Sequence, residues 1–315
     1  MSPLHLRLVS NGTYLWLALI GLAIAIWNPK VDLPRDFRHY MFVVDITQSM
    51  NVEDMQFNNV SVSRLNYTLQ LLRSTIKDLS CGTKVSIALF SNAEIVPLYI
   101  PIEVCSNFDI LDDTLSHIEW RMAWRGSSHL RLALLNATSV LLLMPEPTQI
   151  IFFTDGDEAA PLNAITKVDL TPMQGSSSWL LAGVGSDKPS PVPKFNSKDE
   201  VIGYWSHYAI KIEPSQIVNE DSVGKRDDSI ASDPNEYYLS ALREGYLKEL
   251  ANEIGASYTR ADTQKNLTTS LEKLPPAGHG NVSVNIGWLF ALLAMFCILA
   301  EYIMTCSPKP VNANE

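Results

Sequence analysis

Strand-like and helix-like patterns alternate along the middle of the chain. "HYMFVVDI" (39–46) is a nearly continuous apolar run, the pattern of a strand covered on both faces. "SVSRLNYTLQLLRSTIKDLS" (61–80) puts Leu65, Leu69, Leu72 and Ile76 at helical spacing. "KVSIALFSNAEIVPLYIPI" holds two strand-like runs joined at Ser91–Glu94. The second run contains Pro97 and Pro101, which cannot donate to a ladder, so it belongs at a sheet edge. "FDILDDTLSHIEW" and "HLRLALLNATSVLLLM" read as helices, "TQIIFFTDG" and "SSSWLLAGVGS" as buried strands. "EYYLSALREGYLKELANEIG" (236–255) reads as an amphipathic helix ending at Gly255, followed by a strand in "ASYTRA" and a helix in "TQKNLTTSLEKL". The expected fold class is α/β: a doubly wound, mostly parallel sheet with one antiparallel edge strand.

One stretch breaks this rhythm, and two bracket it. Residues 187–234 are rich in Pro, Ser, Asp and Lys and read as a surface insertion, with "VIGYW" and "YAIKIEP" forming a small hairpin. "YLWLALIGLAIAIW" (Tyr14 to Trp27) and "VNIGWLFALLAMFCILAEYIM" (284–304) are apolar, the second with one charge, Glu301. A bilayer-spanning helix needs about 20 mostly apolar residues, and the second run meets that length. The first is shorter, which leaves a signal-peptide core as an alternative. Trp27, Asn28, Pro29 and Lys30 stand where a signal peptidase prefers small residues, so the run reads as an uncleaved anchor. The expected organisation is a cytoplasmic tip and membrane anchor (1–30), an α/β domain (38–274) with the 187–234 insertion, a transmembrane helix (284–304) and a short tail (305–315). Arg7 and Lys309 flank the two anchors, which places both ends in the cytoplasm and the domain outside it.

Charge and cysteine placement sharpen this picture. The net charge of −10, without clusters of Lys and Arg, argues against a nucleic-acid partner. Cys81 and Cys105 flank the two strand-like runs at equal distances, to within one residue, from a turn centred between Asn92 and Ala93. In an antiparallel hairpin they would lie nearly opposite, within disulfide reach, and a disulfide implies an oxidising compartment. The alternative is two unrelated buried thiols.

The candidate chemistry lies at strand ends. In open α/β sheets the ligand site gathers at the carboxyl ends of the strands. Asp45, Thr47 and Ser49 follow the first strand, Asp155 follows "IIFF", and Ser128 in "WRGSSHLRLAL" opens a helix. No basic residue lies near Asp45 in sequence, and burying unpaired carboxylates is costly. Hydroxyls cannot neutralise such a charge, but they complete the oxygen shell of a hard divalent cation such as Mg²⁺. Other readings exist for single residues. A lone Asp after a strand is commonly a turn or cap residue, and Ser128 could simply cap its helix. Asp157 and Glu158 read as a solvated acidic loop, and Glu53 and Asp54 as cap or solvent residues.

These residues carry a family resemblance. "DITQSM" resembles the Asp-x-Ser-x-Ser signature of von Willebrand factor type A domains, with Thr47 in the first hydroxyl position. "GSSHLRLAL" is similar to that family's Gly-Gly-Thr loop, with Ser128 where Thr is usual, and "TDGDEAAP" to its Thr-Asp-Gly strand end. "SMNVEDM…SRL" and "LREGYLKELANEIGASYTRA" further resemble the bacterial membrane-anchored group associated with MoxR-type AAA+ ATPases, which includes Bat-like and methanol-oxidation accessory proteins. The resemblance implies a metal-ion-dependent adhesion site. Thr47, Ser49 and Ser128 would contact Mg²⁺ (Mn²⁺ or Ca²⁺ as alternatives), and Asp45 and Asp155 would act largely through water. A carboxylate from a protein partner would complete the shell. It further implies an accessory or assembly role for an envelope or periplasmic complex, at the bacterial inner membrane with the main domain facing the periplasm. Enzyme readings fare worse: a metal-dependent phosphohydrolase of haloacid-dehalogenase layout needs a second Asp where Thr47 stands. A structural membrane scaffold with a vacant site is the third reading.

Overall fold

A computed structural model describes residues 12–158, 167–173, 176–196, 198–206 and 237–306. The chain divides into two units, one of 37–278 and one formed by the two flanks.

The larger unit is built on a seven-stranded sheet. Its principal strands are β1 (His39–Asp45), β2 (Lys84–Ser91), β3 (Glu94–Pro97), β4 (Gln149–Thr154), β5 (Leu180–Gly183) and β6 (Ser257–Arg260). The spatial order is β6-β5-β4-β1-β2-β3, with the short strand Ile102–Glu103 also paired to β2. All neighbours from β6 to β2 run parallel, and only β3 and Ile102–Glu103 are antiparallel to β2. This is the mixed, mostly parallel sheet of a doubly wound α/β fold. Every residue of β1 is buried, as its unbroken apolar run requires.

Alternation along β1 sorts the core into two layers. Tyr40, Phe42 and Val44 face one side, where they meet Leu65, Leu69, Leu72 and Ile76 of the helix Arg64–Lys77 and Leu267 and Leu271 of the helix Gln264–Lys273. Met41 and Val43 face the other, against Leu130, Ala133, Leu134 and Ala137 of the helix Leu130–Leu142 and Leu247, Leu250 and Ile254 of the helix Glu244–Ile254. The chain leaves β1 toward β2 on one side and returns through β4, β5 and β6 on the other. The order therefore reverses between β1 and β4, and a crevice opens at their carboxyl ends.

Cys81 and Cys105 form a disulfide with Cα atoms 5.3 Å apart. The β2–β3 hairpin pairs Leu89 with Val96 and Phe90 with Ile95, in the register read from the sequence.

"VIGY" (Val201–Tyr204) pairs with Pro193–Phe195, and its expected partner "YAIKIEP" lies outside the described residues. One sequence expectation is corrected. The helix expected from residue 236 begins only at Glu244, because Leu239–Ser240 is drawn off as a short strand against Ser190–Pro191. The helix ends as expected at Gly255, which adopts φ 75°.

The smaller unit pairs strand Lys30–Phe37 with strand Gly278–Asn285 and packs helix Thr13–Trp27 against helix Gly287–Cys306. The helices meet through small residues: Gly21 lies so close to Ala294 that a Cβ would fall 3.3 Å from the Ala294 Cβ. Among the described residues, no helix is long and apolar enough to cross a membrane.

Candidate metal centre

At the crevice, β1 ends in Asp45, which is fully buried. Its Oδ1 accepts from the Thr47 backbone N–H at 2.9 Å and from Thr47 Oγ1 at 2.6 Å. Its Oδ2 accepts from Thr154 Oγ1, at the end of β4, at 2.7 Å. Thr47 thus spends its proton on Asp45 and keeps its lone pairs free. A single 3₁₀ turn, Gln48–Asn51, follows and carries Ser49.

Ser128 reaches the same place from another loop. Asn92, in the left-handed region at φ 61°, turns the β2–β3 hairpin and zips onto this loop. Its N–H donates to the Ser127 carbonyl at 2.9 Å, and its carbonyl accepts from the His129 N–H at 2.6 Å. Ser128 Oγ is buried and has no hydrogen-bond partner among the described residues. A buried hydroxyl left without a partner costs about 1–3 kcal/mol.

Thr47, Ser49 and Ser128 line one cavity of about 20 Å³, together with Gln48, Gly126, Asp157, Val192 and Tyr238. That volume holds roughly one water-sized occupant. Asp45 and Asp155 stand behind this lining. Asp155 Oδ1 accepts from the Asp157 N–H at 3.0 Å, and its Oδ2 accepts from Arg64 Nη1 at 2.6 Å. Gly156 between them adopts φ 77°, and a Cβ there would come within 2.9 Å of Leu247 Cγ, so the strand end requires glycine.

Several residues were misread or missed in the sequence. Arg64 is completely buried and clamps Asp155 on one side and Asp54 on the other, each at 2.6 Å. The acids therefore do have a basic neighbour, brought in by folding, and Asp54 is a buried ion-pair partner rather than a solvent residue. Asp157 is buried, with both oxygens 2.7 and 2.8 Å from the Tyr238 hydroxyl. Glu158 accepts from the Tyr246 hydroxyl at 2.8 Å. Neither belongs to a solvated loop.

The electrostatics show an excess of negative charge. Burial, reinforced by the charge of Asp155, pushes Asp45 up to about 7, and the Thr47 and Thr154 hydrogen bonds only partly oppose this. Burial and Asp155 likewise push Asp157 up to about 6. Burial disfavours the Arg64 cation, but Asp155 and Asp54 outweigh it and hold the guanidinium above its ordinary value. One buried arginine does not balance the cluster. The cavity offers hydroxyl and carboxylate oxygens, with no histidine or cysteine in its wall among the described residues. That donor set, the small cavity and the orphaned Ser128 hydroxyl fit a hard divalent cation of the Mg²⁺ or Mn²⁺ kind.

A doubly wound sheet with hydroxyls from two loops above buried carboxylates at its switch point defines a class of binding domain. Residues 40–158 match the family model for the von Willebrand factor type A domain. No curated protein matches the chain. Among solved structures it is similar to an aerotolerance-related membrane protein from Bacteroides fragilis, with TM-score 0.50 and 19% identity over 75% of this chain and 98% of that one. It is also similar to the conserved hypothetical protein BatB from Bacteroides thetaiotaomicron, with TM-score 0.52 and 18% identity over 75% and 98%. In fold, the chain matches a Bat-like von Willebrand A protein.

Proposed function

We propose that this protein is a membrane-tethered von Willebrand A domain that binds a protein partner through a divalent cation, as an accessory or assembly factor for an envelope complex. The observation that carries the reading is the convergence of Thr47, Ser49 and the unpartnered Ser128 hydroxyl on one cation-sized cavity backed by Asp45. Thr47, Ser49 and Ser128 would hold the ion, Mg²⁺ by preference, with Mn²⁺ or Ca²⁺ as substitutes. Asp45 and Asp155 would supply charge from behind. Neutral hydroxyls leave such an ion electron-poor, so it attracts a carboxylate from a partner. Binding is favoured over phosphoryl chemistry by the state of Asp45, whose two oxygens are taken up by Thr47 and Thr154 and which has no exposed surface for nucleophilic attack. The likeness to Bat-like proteins supports a place beside a MoxR-type ATPase.

The terminal helices support the tether. They meet through Ala18, Gly21 and Ala294, and they turn large side chains outward: Trp16 is 68% exposed, Ile26 85% and Phe296 64%. That is the inverse of a water-soluble helix pair and suits a bilayer.

The test is affinity capture with tagged full-length protein from detergent-solubilised membranes, in Mg²⁺ or EDTA, beside a Ser128→Ala variant. Partners retained only with Mg²⁺ and lost in the variant are expected. A partner set indifferent to both changes would overturn the reading.

A further inference from the structure

The metal cavity is roofed by the chain itself. Thr47, Ser49 and Ser128 are only 1%, 8% and 3% exposed. Asp157, Val192 and Tyr238 line the same cavity. Three short segments knit this roof. The Val192 N–H donates to the Tyr238 carbonyl at 3.3 Å, the Trp205 N–H to the Val192 carbonyl at 2.9 Å, and the Tyr238 N–H to the Trp205 carbonyl at 2.8 Å. Val192 and Tyr238 form a small apolar cluster with Val52, which lies just beyond the turn that carries Ser49, and Trp205 packs against that cluster.

Among the described residues, Asp157 is the one carboxylate in the cavity wall. Asp45 is engaged with Thr47 and Thr154, and Asp155 with Arg64. With hydroxyl ligands alone, the ion in this buried cavity would meet negative charge only from behind its ligands, and the cost of burying an ion favours a carboxylate in the wall itself. The Tyr238 hydroxyl lies against both oxygens of Asp157, and Arg243 Nε is 3.7 Å from its Oδ1, so the carboxylate is held in place.

We infer that Asp157 is an in-chain ligand that fills the partner's position on the cation in the resting protein, with Tyr238 as its positioning residue. A partner's carboxylate then enters by exchanging with Asp157, and the Val192–Tyr238 roof must move aside for it. The inference rests on the metal-binding reading above and adds a self-capped resting state to it. It also gives Val192, Trp205 and Tyr238 a shared task.

The test uses full-length protein in detergent with Mn²⁺ as the probe, reading affinity by calorimetry and ion hydration by water-proton relaxation. The wild type is expected to bind Mn²⁺ with little relaxation enhancement, because Asp157 and the roof keep exchanging water off the ion. Asp157→Asn is expected to bind about 10–100-fold more weakly, with higher relaxation enhancement per bound ion, and Tyr238→Phe to shift both readings the same way by less. Asn matches Asp in size and keeps a contact for Tyr238, and melting in EDTA checks its fold. Should it fail to fold, Tyr238→Phe alone decides: unchanged affinity and relaxation in that variant overturn the inference. Asp157→Asn binding Mn²⁺ as tightly as wild type, with the same relaxation, overturns it while leaving the metal site intact. No Mn²⁺ binding by the wild type, or binding that Ser128→Ala leaves unchanged, would overturn the metal-binding reading and this inference with it.

Discussion

Two residues of the cavity respond in opposite ways to the same medium. The Ser128 hydroxyl is buried without a partner, so Ser128→Ala removes an unsatisfied polar atom. In EDTA the variant should be as stable as wild type or more stable by about 0–1 kcal/mol. In saturating Mg²⁺ the ranking should reverse, because an ion at about 100 times its Kd stabilises the wild type by roughly 2.7 kcal/mol and the variant by far less. Melting curves with and without Mg²⁺ check this crossover, and a variant that is less stable in EDTA would mark Ser128 as structural. Asp45 sets the pH dependence. Its pKa is raised from 3.8 to about 7 in the metal-free fold, and Asp157 shifts the same way to about 6. The folded state therefore holds protons that the unfolded chain has released, so metal-free stability is greatest at the acid end of that window and falls as pH rises through it. An ion needs these groups ionised and displaces their protons, so Mn²⁺ affinity should climb between about pH 5 and 8 while metal-free stability declines. Parallel titration and melting series over that range check both slopes; a flat metal-free profile would contradict the assignment.

At the scale of elements, the sheet and its helices were legible because packing leaves a period in the sequence. Tyr40, Phe42 and Val44 alternate with Met41 and Val43, and the two sets face different helices. The site positions were legible as well, since Asp45, Thr47, Ser49 and Asp155 follow periodic segments and Ser128 precedes one. Contacts that cross the chain left no such trace. Arg64 reads as an ordinary residue at a helix start, yet folding carries it to Asp155, 91 positions away. Tyr238 meets Asp157 across 81 positions, and the two-residue strand Leu239–Ser240 is set by its partner Ser190–Pro191 rather than by its own composition. The ribbon of "KVDLPRDF" with Gly278–Asn285 was missed for the same reason, its first strand interrupting any alternation with Pro34. Arg64 is where this blind spot has the largest energetic consequence. Arg64→Leu would leave Asp54 and Asp155 buried and unpaired, and urea unfolding should show a loss of about 3–5 kcal/mol. Arg64→Lys keeps the charge but not the planar fork that reaches both acids, and should fall between the two.

For the whole molecule, the proposed membrane tether raises the question of which side the α/β domain faces, and two independent features bear on it. The helices Thr13–Trp27 and Gly287–Cys306 present apolar side chains outward, including Trp27 at 82% and Ile303 at 60% exposure. Such a surface is unfavourable in water and ordinary in lipid. The Cys81–Cys105 disulfide closes a loop spanning 24 positions within the domain, and disulfides persist in oxidising compartments. By loop-closure entropy this bond contributes about 3 kcal/mol, so reduction should lower the melting temperature measurably. A domain tethered on the oxidising side of a membrane would carry both features. In spheroplasts, protease added outside should then degrade the domain while an N-terminal tag stays protected. Thiol labelling after denaturation without reductant should reach Cys297 and Cys306 and spare Cys81 and Cys105. If Cys81 and Cys105 label in protein quenched directly from cells, the domain resides in a reducing compartment. The orientation would then be inverted, and the partner of the metal site would have to be sought in the cytoplasm.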